Sequence, residues 1–416
     1  RPLIYYARDS WYIRMSQLRD ELMSENQKIH WEPGHIRDGR FGEWLREVKD
    51  WAISRERYWG TPLPIWECDR CQAREVIGSF TDLIAKAPKR NRFIVMRHGE
   101  AESNARGIIN TKEETSAQYP LTAQGSQRVA EAAKRLKSEG ITRIVASPYH
   151  RMRQTADIVA DGIGYARDRI EYRQELRELD LPDFDGKPIA EHHAQFASRE
   201  ERFTKKIGNN ETWTECAQRI LAFLRTLDAE QAGATFLICT HGDNLWLLEW
   251  ALRGMTHRGI EAIPYPDYDN PREIAFTGAL VNDRGEFDVH RPYVDVVTWQ
   301  CTKDRCGGTM RRFPEVVDVW MDSGCMPFAQ HHFPFEWQGR ENQLPYPAQY
   351  ISEAIDQTRG WFYTLLAVAT VLGREAPYQN VISLGHLLDK NGQKMSKSKG
   401  NVVSPWEMIE KYGADV

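Results

Sequence analysis

Three groups of residues in this chain have the types and spacing that chemistry needs. The first is a pair of cysteine clusters, Cys68 with Cys71 and Cys301 with Cys306, the second followed at once by two glycines. Each short turn can present two sulfurs to one ion. Two such turns make the four-thiolate set of a tetrahedral zinc site, although unmetallated thiols in a core share the same pattern. The second group is Arg97-His98-Gly99-Glu100, Ser147-Pro148 with Arg151, and Thr240-His241-Gly242-Asp243. Two histidines and two arginines suit a dianionic phosphoryl group. A neutral imidazole can attack phosphorus and carry the group covalently, while arginines neutralise charge on the equatorial oxygens. A carboxylic acid must then protonate the leaving alkoxide, and Glu178 is the first candidate, with Asp243 second. The third group is Glu353, Asp356, Gln357 and Arg359, followed downstream by Lys394-Met395-Ser396-Lys397-Ser398-Lys399 between Gly392 and Gly400. Such a loop could be a solvated charge run. It is also what adenylation demands, because lysines on a closing loop can neutralise charge that builds on pyrophosphate.

The elements that must position these groups follow from hydrophobic patterning. Phe93–Met96, Ile144–Ala146 and Phe236–Cys239 are short apolar runs that read as buried strands, and each delivers its reactive residues at its carboxyl end. Thr122 can cap a helix with Val129, Ala132, Ala133 and Leu136 on one face. Alternating strands and helices imply a mostly parallel sheet covered on both faces, which binds ligands beyond the carboxyl ends of its strands. In the first stretch, residues 13–26 and 41–52 read as helices from apolar spacings of three and four. Gly60, Pro62 and Pro64 then force a non-helical path through an aromatic segment that holds Arg55 and Arg57. Near the end, residues 348–353 read as a strand, Ala354 onward as the start of a long apolar helix, and 381–388 as another strand.

The joint pattern in the middle of the chain resembles the histidine phosphatase (phosphoglycerate mutase-like) superfamily. It consists of Arg97-His98-Gly99-Glu100 with Asn104, Leu121-Thr122 with Gly125, Ser147-Pro148 with Arg151, Gln154-Thr155-Ala156 and His241-Gly242. The resemblance implies a three-layer α/β/α domain with His98 as phosphoryl acceptor. Arg97, Arg151 and His241 would form the phosphate pocket, and Glu178 would donate the proton. Gln118 and Tyr149-His150 depart from the commoner pattern without touching that set. A domain kept for structure alone is the plainer alternative.

On either side, the wording resembles the isoleucyl branch of the class I aminoacyl-tRNA synthetases. The matching stretches are Gly60-Thr61-Pro62-Leu63-Pro64-Ile65-Trp66, Asp318 to Gly324, Glu353 to Phe362, and Lys394 to Ser398. This implies the second half of a Rossmann-like catalytic domain, and a zinc ribbon built from Cys68, Cys71, Cys301 and Cys306. Glu353 would contact the aminoacyl-adenylate, and Asp356 and Gln357 would line the amino-acid and ribose pocket. Gly385 and His386 would approach adenine. Lys397, supported by Lys394 and Ser398, would meet the transition state. ATP with Mg2+, isoleucine and tRNA-Ile are the implied substrates. A valyl host fits the run Asp356 to Trp361 less well.

The expected organisation is therefore a synthetase segment with the first knuckle (1–89), an inserted phosphatase-like domain (90–285), the second knuckle and return (286–330), and the second catalytic half (331–416). With 416 residues, net charge −4, 41% hydrophobic and 27% charged residues, the composition is that of a globular protein with room for several domains. No apolar run approaches the roughly 20 residues of a membrane span. Seven cysteines in so long a chain favour metal in a reducing compartment over a disulfide scaffold, and the expected setting is cytoplasmic, as a monomer. The chain reads as a fragment, lacking a first nucleotide-binding half, and is not expected to form isoleucyl-adenylate alone. Phosphatase or phosphomutase chemistry as the main activity is the rival reading. A nucleic-acid- or partner-binding role for the insert is disfavoured by its lack of a dense Lys/Arg stripe.

Overall fold

The computed structural model describes residues 8–396 and 398–414. Contacts divide the chain into two compact units, Arg1–Arg55 with Val317–Val416, and Glu56–Val316. The expected divisions at 89/90 and 285/286 thus fall inside the second unit. The reason is a shared apolar core: Trp66, Ile77 and Leu83 on one flank, and Val294 and Met310 on the other, pack in one cluster with Phe93, Phe223 and Phe236.

In the second unit the main sheet runs Arg272–Ile274, Arg92–Arg97, Thr235–Thr240, Arg143–Ala146, Glu171–Tyr172. All pairings are parallel except that of the edge strand Arg272–Ile274. Alternation decides the layers. Phe93, Val95, Val145, Phe236 and Ile238 face one core, with helices Trp213–Glu230 and Gly242–Leu252. Ile94, Met96, Ile144, Ala146, Leu237 and Cys239 face the other, with helices Ala123–Leu136 and His150–Ile163. Successive strand side chains point to opposite faces, so near-continuous apolar strands require a helix layer on each side. Thr122 does cap its helix, accepting from the Gly125 amide at 2.9 Å. Gly125 is required: a Cβ there would lie 2.2 Å from the Glu100 carbonyl oxygen.

A second sheet in this unit is antiparallel, in the order Trp299–Gln300, Thr309–Arg312, Ile65–Cys68, Arg74–Val76. Both cysteine turns are its hairpin connections.

The first unit is built on a parallel three-stranded sheet, Ala348–Ala354, Tyr378–Leu384, His30–Glu32. Helix Trp361–Val371 is its crossover, and Gly324 lets helix Val319–Gly324 approach closely, since a Cβ there would sit 2.7 Å from the Thr364 carbonyl. Four readings change here, one being the strand expected over 381–388, which runs Tyr378–Leu384. The helix expected over 13–26 begins at Arg19, after a 3-10 turn, because Tyr12–Ile13 pairs with Trp51–Ala52 as a short antiparallel ribbon. For the same reason the helix expected over 41–52 stops at Arg46. The apolar helix begins only at Trp361, after the 3-10 segment Ile355–Arg359.

Candidate functional site

The carboxyl ends of three adjacent parallel strands bring His98, Ser147 and His241 together. His98 is fully buried. Its Nδ1 lies 2.7 Å from the Gly99 carbonyl, which can only accept, so Nδ1 carries the proton and Nε2 keeps its lone pair. Arg151 Nε sits 3.3 Å from that Nε2. The same guanidinium donates to Asn110 Oδ1 at 2.8 Å and reaches His241 Nδ1 at 3.1 Å. His241 Nε2 is then the protonated nitrogen and donates to Ser147 Oγ at 2.8 Å. Glu178 Oε2 completes the cluster, 3.4 Å from His241 Nδ1 and 3.8 Å from Arg151.

Burial, reinforced by Arg151 and Arg97, holds the His98 pKa well below its ordinary value. Burial, Arg151 and His98 do the same for His241. Both imidazoles are therefore neutral near pH 7. Glu178 moves the other way. Burial and the charge of Asp243 push its pKa up to about 7, so a large share of it is protonated at neutral pH. Asp243 is itself raised by burial, although the Tyr265 hydroxyl donates to it at 2.9 Å. Arg97 donates to the Pro266 carbonyl at 2.8 Å and lies 3.8 Å over the Tyr268 ring, yet its Nε is buried without a partner. An unpaired buried guanidinium N–H beside two neutral imidazoles is an anion's place. His98, Glu178 and His241 also lie within 4.8 Å of one another, a spacing a metal could use. The Arg151 guanidinium already bridges the two free imidazole nitrogens, and its positive charge opposes a cation there.

The four cysteine sulfurs also converge within 4.8 Å. Cys68 Sγ is 3.5 Å from Cys306 Sγ, and Cys71 Sγ is 3.7 Å from Cys301 Sγ. Zinc–sulfur bonds of about 2.3 Å at tetrahedral angles separate sulfurs by about 3.8 Å, so the set fits zinc. Gly308 leaves room for it: a Cβ there would stand 2.5 Å from Cys68 Sγ. Hydrogen bonding, chiefly from the Cys71 amide, brings the Cys68 thiol down to about 6, while contact with the neighbouring thiols pushes Cys301 and Cys306 up.

The third set lies in the other unit. Glu353 is the next-to-last residue of strand Ala348–Ala354, in register with Ser383, and Gly385 and His386 follow the neighbouring strand's end. Glu353, Asp356, Lys394 and Ser398 are exposed. Gln357 uses its side-chain oxygen to accept from the Trp361 amide at 2.8 Å, starting the helix. Lys394 Nζ reaches His386 Nε2 at 3.3 Å. Lys397 lies outside the described residues.

Sequence reasoning did not find several cavity residues. Asn110, which fixes Arg151, and Tyr265 and Tyr268, which frame Arg97, lie in loops without periodicity. Neither were His192, Arg199, Arg202, Trp213 and Trp246 read as site residues, although they line the same cavity of about 690 Å³. Only their joint surplus of aromatic and basic types between residues 186 and 250 could have signalled them.

Comparison with known proteins accords with both halves of this picture. Residues 3–117 and 276–416 match the family of tRNA synthetases class I (I, L, M and V). Residues 93–272 match the histidine phosphatase superfamily (branch 1). The isoleucine–tRNA ligase of Dehalococcoides mccartyi (strain ATCC BAA-2266) is 30% identical over 416 residues, covering 100% of this chain and 22% of that protein. The isoleucine–tRNA ligase of Thermus thermophilus is 30% identical over 416 residues, covering 100% of this chain and 21% of that protein. The chain thus spans about a fifth of the length of the curated relatives it matches. Among solved structures, Bacillus stearothermophilus YhfR aligns with 47% of this chain and 94% of its own at 25% identity and a TM-score of 0.40. The chain belongs to the class I tRNA synthetases of the isoleucine, leucine, methionine and valine group, and it carries a histidine phosphatase superfamily domain.

Proposed function

We propose that residues 90–285 hydrolyse a phosphomonoester through a phosphohistidine on His98. The observation that carries this reading is the His98 ring itself: neutral, protonated on Nδ1, with the Nε2 lone pair turned toward Arg151, whose Nε–H donates to it at 3.3 Å and would turn to the phosphoryl oxygens when substrate binds. In the first step the Nε2 lone pair forms a bond to phosphorus and the P–O ester bond breaks. Arg97 and Arg151 N–H groups hold the equatorial oxygens, with His241 alongside positioned by Arg151 and Ser147, and the Glu178 proton passes to the departing alkoxide. In the second step water attacks phosphorus, its proton returns to the Glu178 carboxylate, and the N–P bond breaks to release inorganic phosphate. The catalytic groups are His98, Arg97, Arg151, Glu178 and His241; Asn110 is a positioning residue. The test is phosphohydrolase activity of the whole chain on a panel of phosphoesters, with His98→Ala as control. No turnover on any ester, or equal turnover by the variant, defeats the reading.

For the synthetase part, the proposed parent activity is isoleucine–tRNA ligation. It would use ATP with Mg2+, isoleucine and tRNA-Ile, in the cytoplasm. Glu353, Asp356 and Gln357 would serve the adenylate, Gly385 and His386 the adenine, and Lys394, Lys397 and Ser398 the pyrophosphate. The support is the family match together with the loop Lys394 to Ser398. Zinc on Cys68, Cys71, Cys301 and Cys306 would close the hairpin connections and do no chemistry. The phosphatase domain would then be an insertion between the two knuckles. Amino-acid-dependent ATP–pyrophosphate exchange by the parent protein tests this: stimulation by valine above isoleucine would reassign the host.

A further inference from the structure

Glu178 lies on no helix or strand. It follows the 3-10 turn Gln174–Leu176, in an irregular stretch whose backbone must find its hydrogen-bond partners elsewhere. Side chains from two helices supply them. Asn244, fully buried on helix Gly242–Leu252, donates from Nδ2 to the carbonyls of Leu176 at 3.2 Å and Arg177 at 2.8 Å. Arg219, on helix Trp213–Glu230, donates to the carbonyls of Glu175 at 2.6 Å and Arg177 at 3.1 Å. The Thr240 hydroxyl, itself 2.7 Å from Asn244 Nδ2, donates to the Leu176 carbonyl at 2.9 Å. Both anchors are fixed in turn. Burial keeps the Cys216 thiol protonated, and it donates to Asn244 Oδ1 at 3.2 Å, which settles which end of the amide faces the carbonyls. Arg219 makes a two-pronged pair with Glu211, at 2.8 and 2.7 Å, and the Glu211 carboxylate also accepts from the Asp180 amide at 3.0 Å. The chain is thus held on both sides of Glu178.

A largely buried ion pair adds little net stability, because desolvation offsets most of the attraction. What this one secures is geometry. Glu178 Oε1 accepts from the Leu179 amide at 3.1 Å, and Oε2 faces His241 Nδ1 at 3.4 Å and Arg151 at 3.8 Å. Thr240 and Asn244 flank His241 in sequence, so the strand end that presents this histidine also holds the acid. We infer that Asn244 and Arg219 are positioning residues for proton transfer, which hold the Glu178 carboxyl within reach of the leaving-group oxygen. This inference rests on the phosphatase reading above and deepens it. Neither side chain lines the cavity, so neither acts by binding substrate. A misplacement of about 1 Å can cost about a hundredfold in rate, and here the cost falls on steps that need the proton.

The test uses the whole chain and two esters: phenyl phosphate, whose leaving group needs a proton, and 2,4-dinitrophenyl phosphate, whose leaving group does not. The quantity compared is kcat/KM, which reports on steps up to departure of the alcohol. In Asn244→Leu it should fall about 10- to 100-fold on phenyl phosphate and less than about threefold on the dinitrophenyl ester. Arg219→Met should show the same split, and Arg219→Lys should recover part of it. Added to Glu178→Gln, Asn244→Leu should leave the ratio of the two esters unchanged, because the acid it positions is gone. Equal loss on both esters, no loss on either, or a further change of ratio in the double variant overturns the inference. If Asn244→Leu or Arg219→Met fails to fold, Asn244→Ser and Arg219→Lys take their place, with a smaller split in the same direction expected. Should no ester be turned over, the phosphatase reading fails by itself. Hydrogen exchange then decides whether the segment is held as described. Exchange about tenfold faster in Asn244→Leu at the amides of residues 177–180, with Arg92–Arg97 unchanged, upholds it; faster exchange throughout, or none, overturns it.

Discussion

The phosphoryl cluster and the candidate adenylate residues are held in different ways. His98, Arg151 and His241 are buried, and each fixes the next through a hydrogen bond of 3.3 Å or less. Asn110, Ser147 and the Gly99 carbonyl fix them from behind. Glu353, Asp356, Lys394 and Ser398 are exposed, and among the described residues the side-chain contacts in this set are such as Lys394 with His386 and Ser396 with Ser398. The first arrangement is preorganised, so its pKa values are already set for chemistry. The second leaves side chains free to rearrange around a large substrate. Preorganised donors lower a barrier without reorganisation at the moment of reaction, whereas a loop must first close.

This contrast can be broken at several points. His98→Ala should abolish turnover, by about a thousandfold or more, since it removes the proposed nucleophile and not merely a binding group. A residual rate within tenfold of the parent would mean that preorganisation here serves something else. Glu178→Gln should cost about 10² to 10³ on esters with poor leaving groups and far less on nitrophenyl esters, which need no proton. For the intact enzyme, activity on poor leaving groups should decline as pH rises through about 7, where Glu178 loses its proton, and Glu178→Gln should flatten that limb. The stability sign is fixed by the same shift. The folded chain keeps a proton on Glu178 that the unfolded chain releases above 4.5, so this residue's contribution to stability falls between pH 4.5 and about 7. Buried His98 and His241 act oppositely, adding stability as pH rises through the ordinary histidine value.

Cys301→Ser should lower zinc from about one ion per chain to well under half and lower the melting temperature, because a structural four-thiolate site is coupled to folding. Unchanged zinc content would detach the knuckles from metal. The smallest effect is expected in the other unit. Lys394→Ala should change unfolding stability by less than about 0.5 kcal/mol, as for exposed side chains with few partners. A larger loss would show that this loop is more tightly held than its exposure indicates.

Much of the candidate phosphoryl cluster was legible because its residues end buried strands. Strand ends are readable from apolar runs, and Arg97-His98, Ser147 and His241 sit at such ends. Glu178 was readable only from chemistry, as the acid that the mechanism needs. Arg202, Trp213 and Tyr265 were not legible, because a four-residue helix, the first turn of helix Trp213–Glu230 and a loop bring them to the cavity only through tertiary packing. The helices expected over 13–26 and 41–52 were shortened by the pairing of Tyr12–Ile13 with Trp51–Ala52. Periodicity cannot foresee a ribbon between residues so far apart in sequence. Nor could texture foresee that the cysteine sheet shares its apolar core with the inserted domain, since composition changes at residue 90 while packing does not.

The central claim is that His98 carries the phosphoryl group. Rapid acid-free quenching of the whole chain during turnover of a phosphoester, followed by peptide mass spectrometry at alkaline pH, tests it directly. The account predicts one acid-labile phosphoryl group on the peptide containing His98, absent in His98→Ala and accumulating in Glu178→Gln with a good leaving group. Turnover without any phosphopeptide, or a phosphoryl group that persists in His98→Ala, would contradict it.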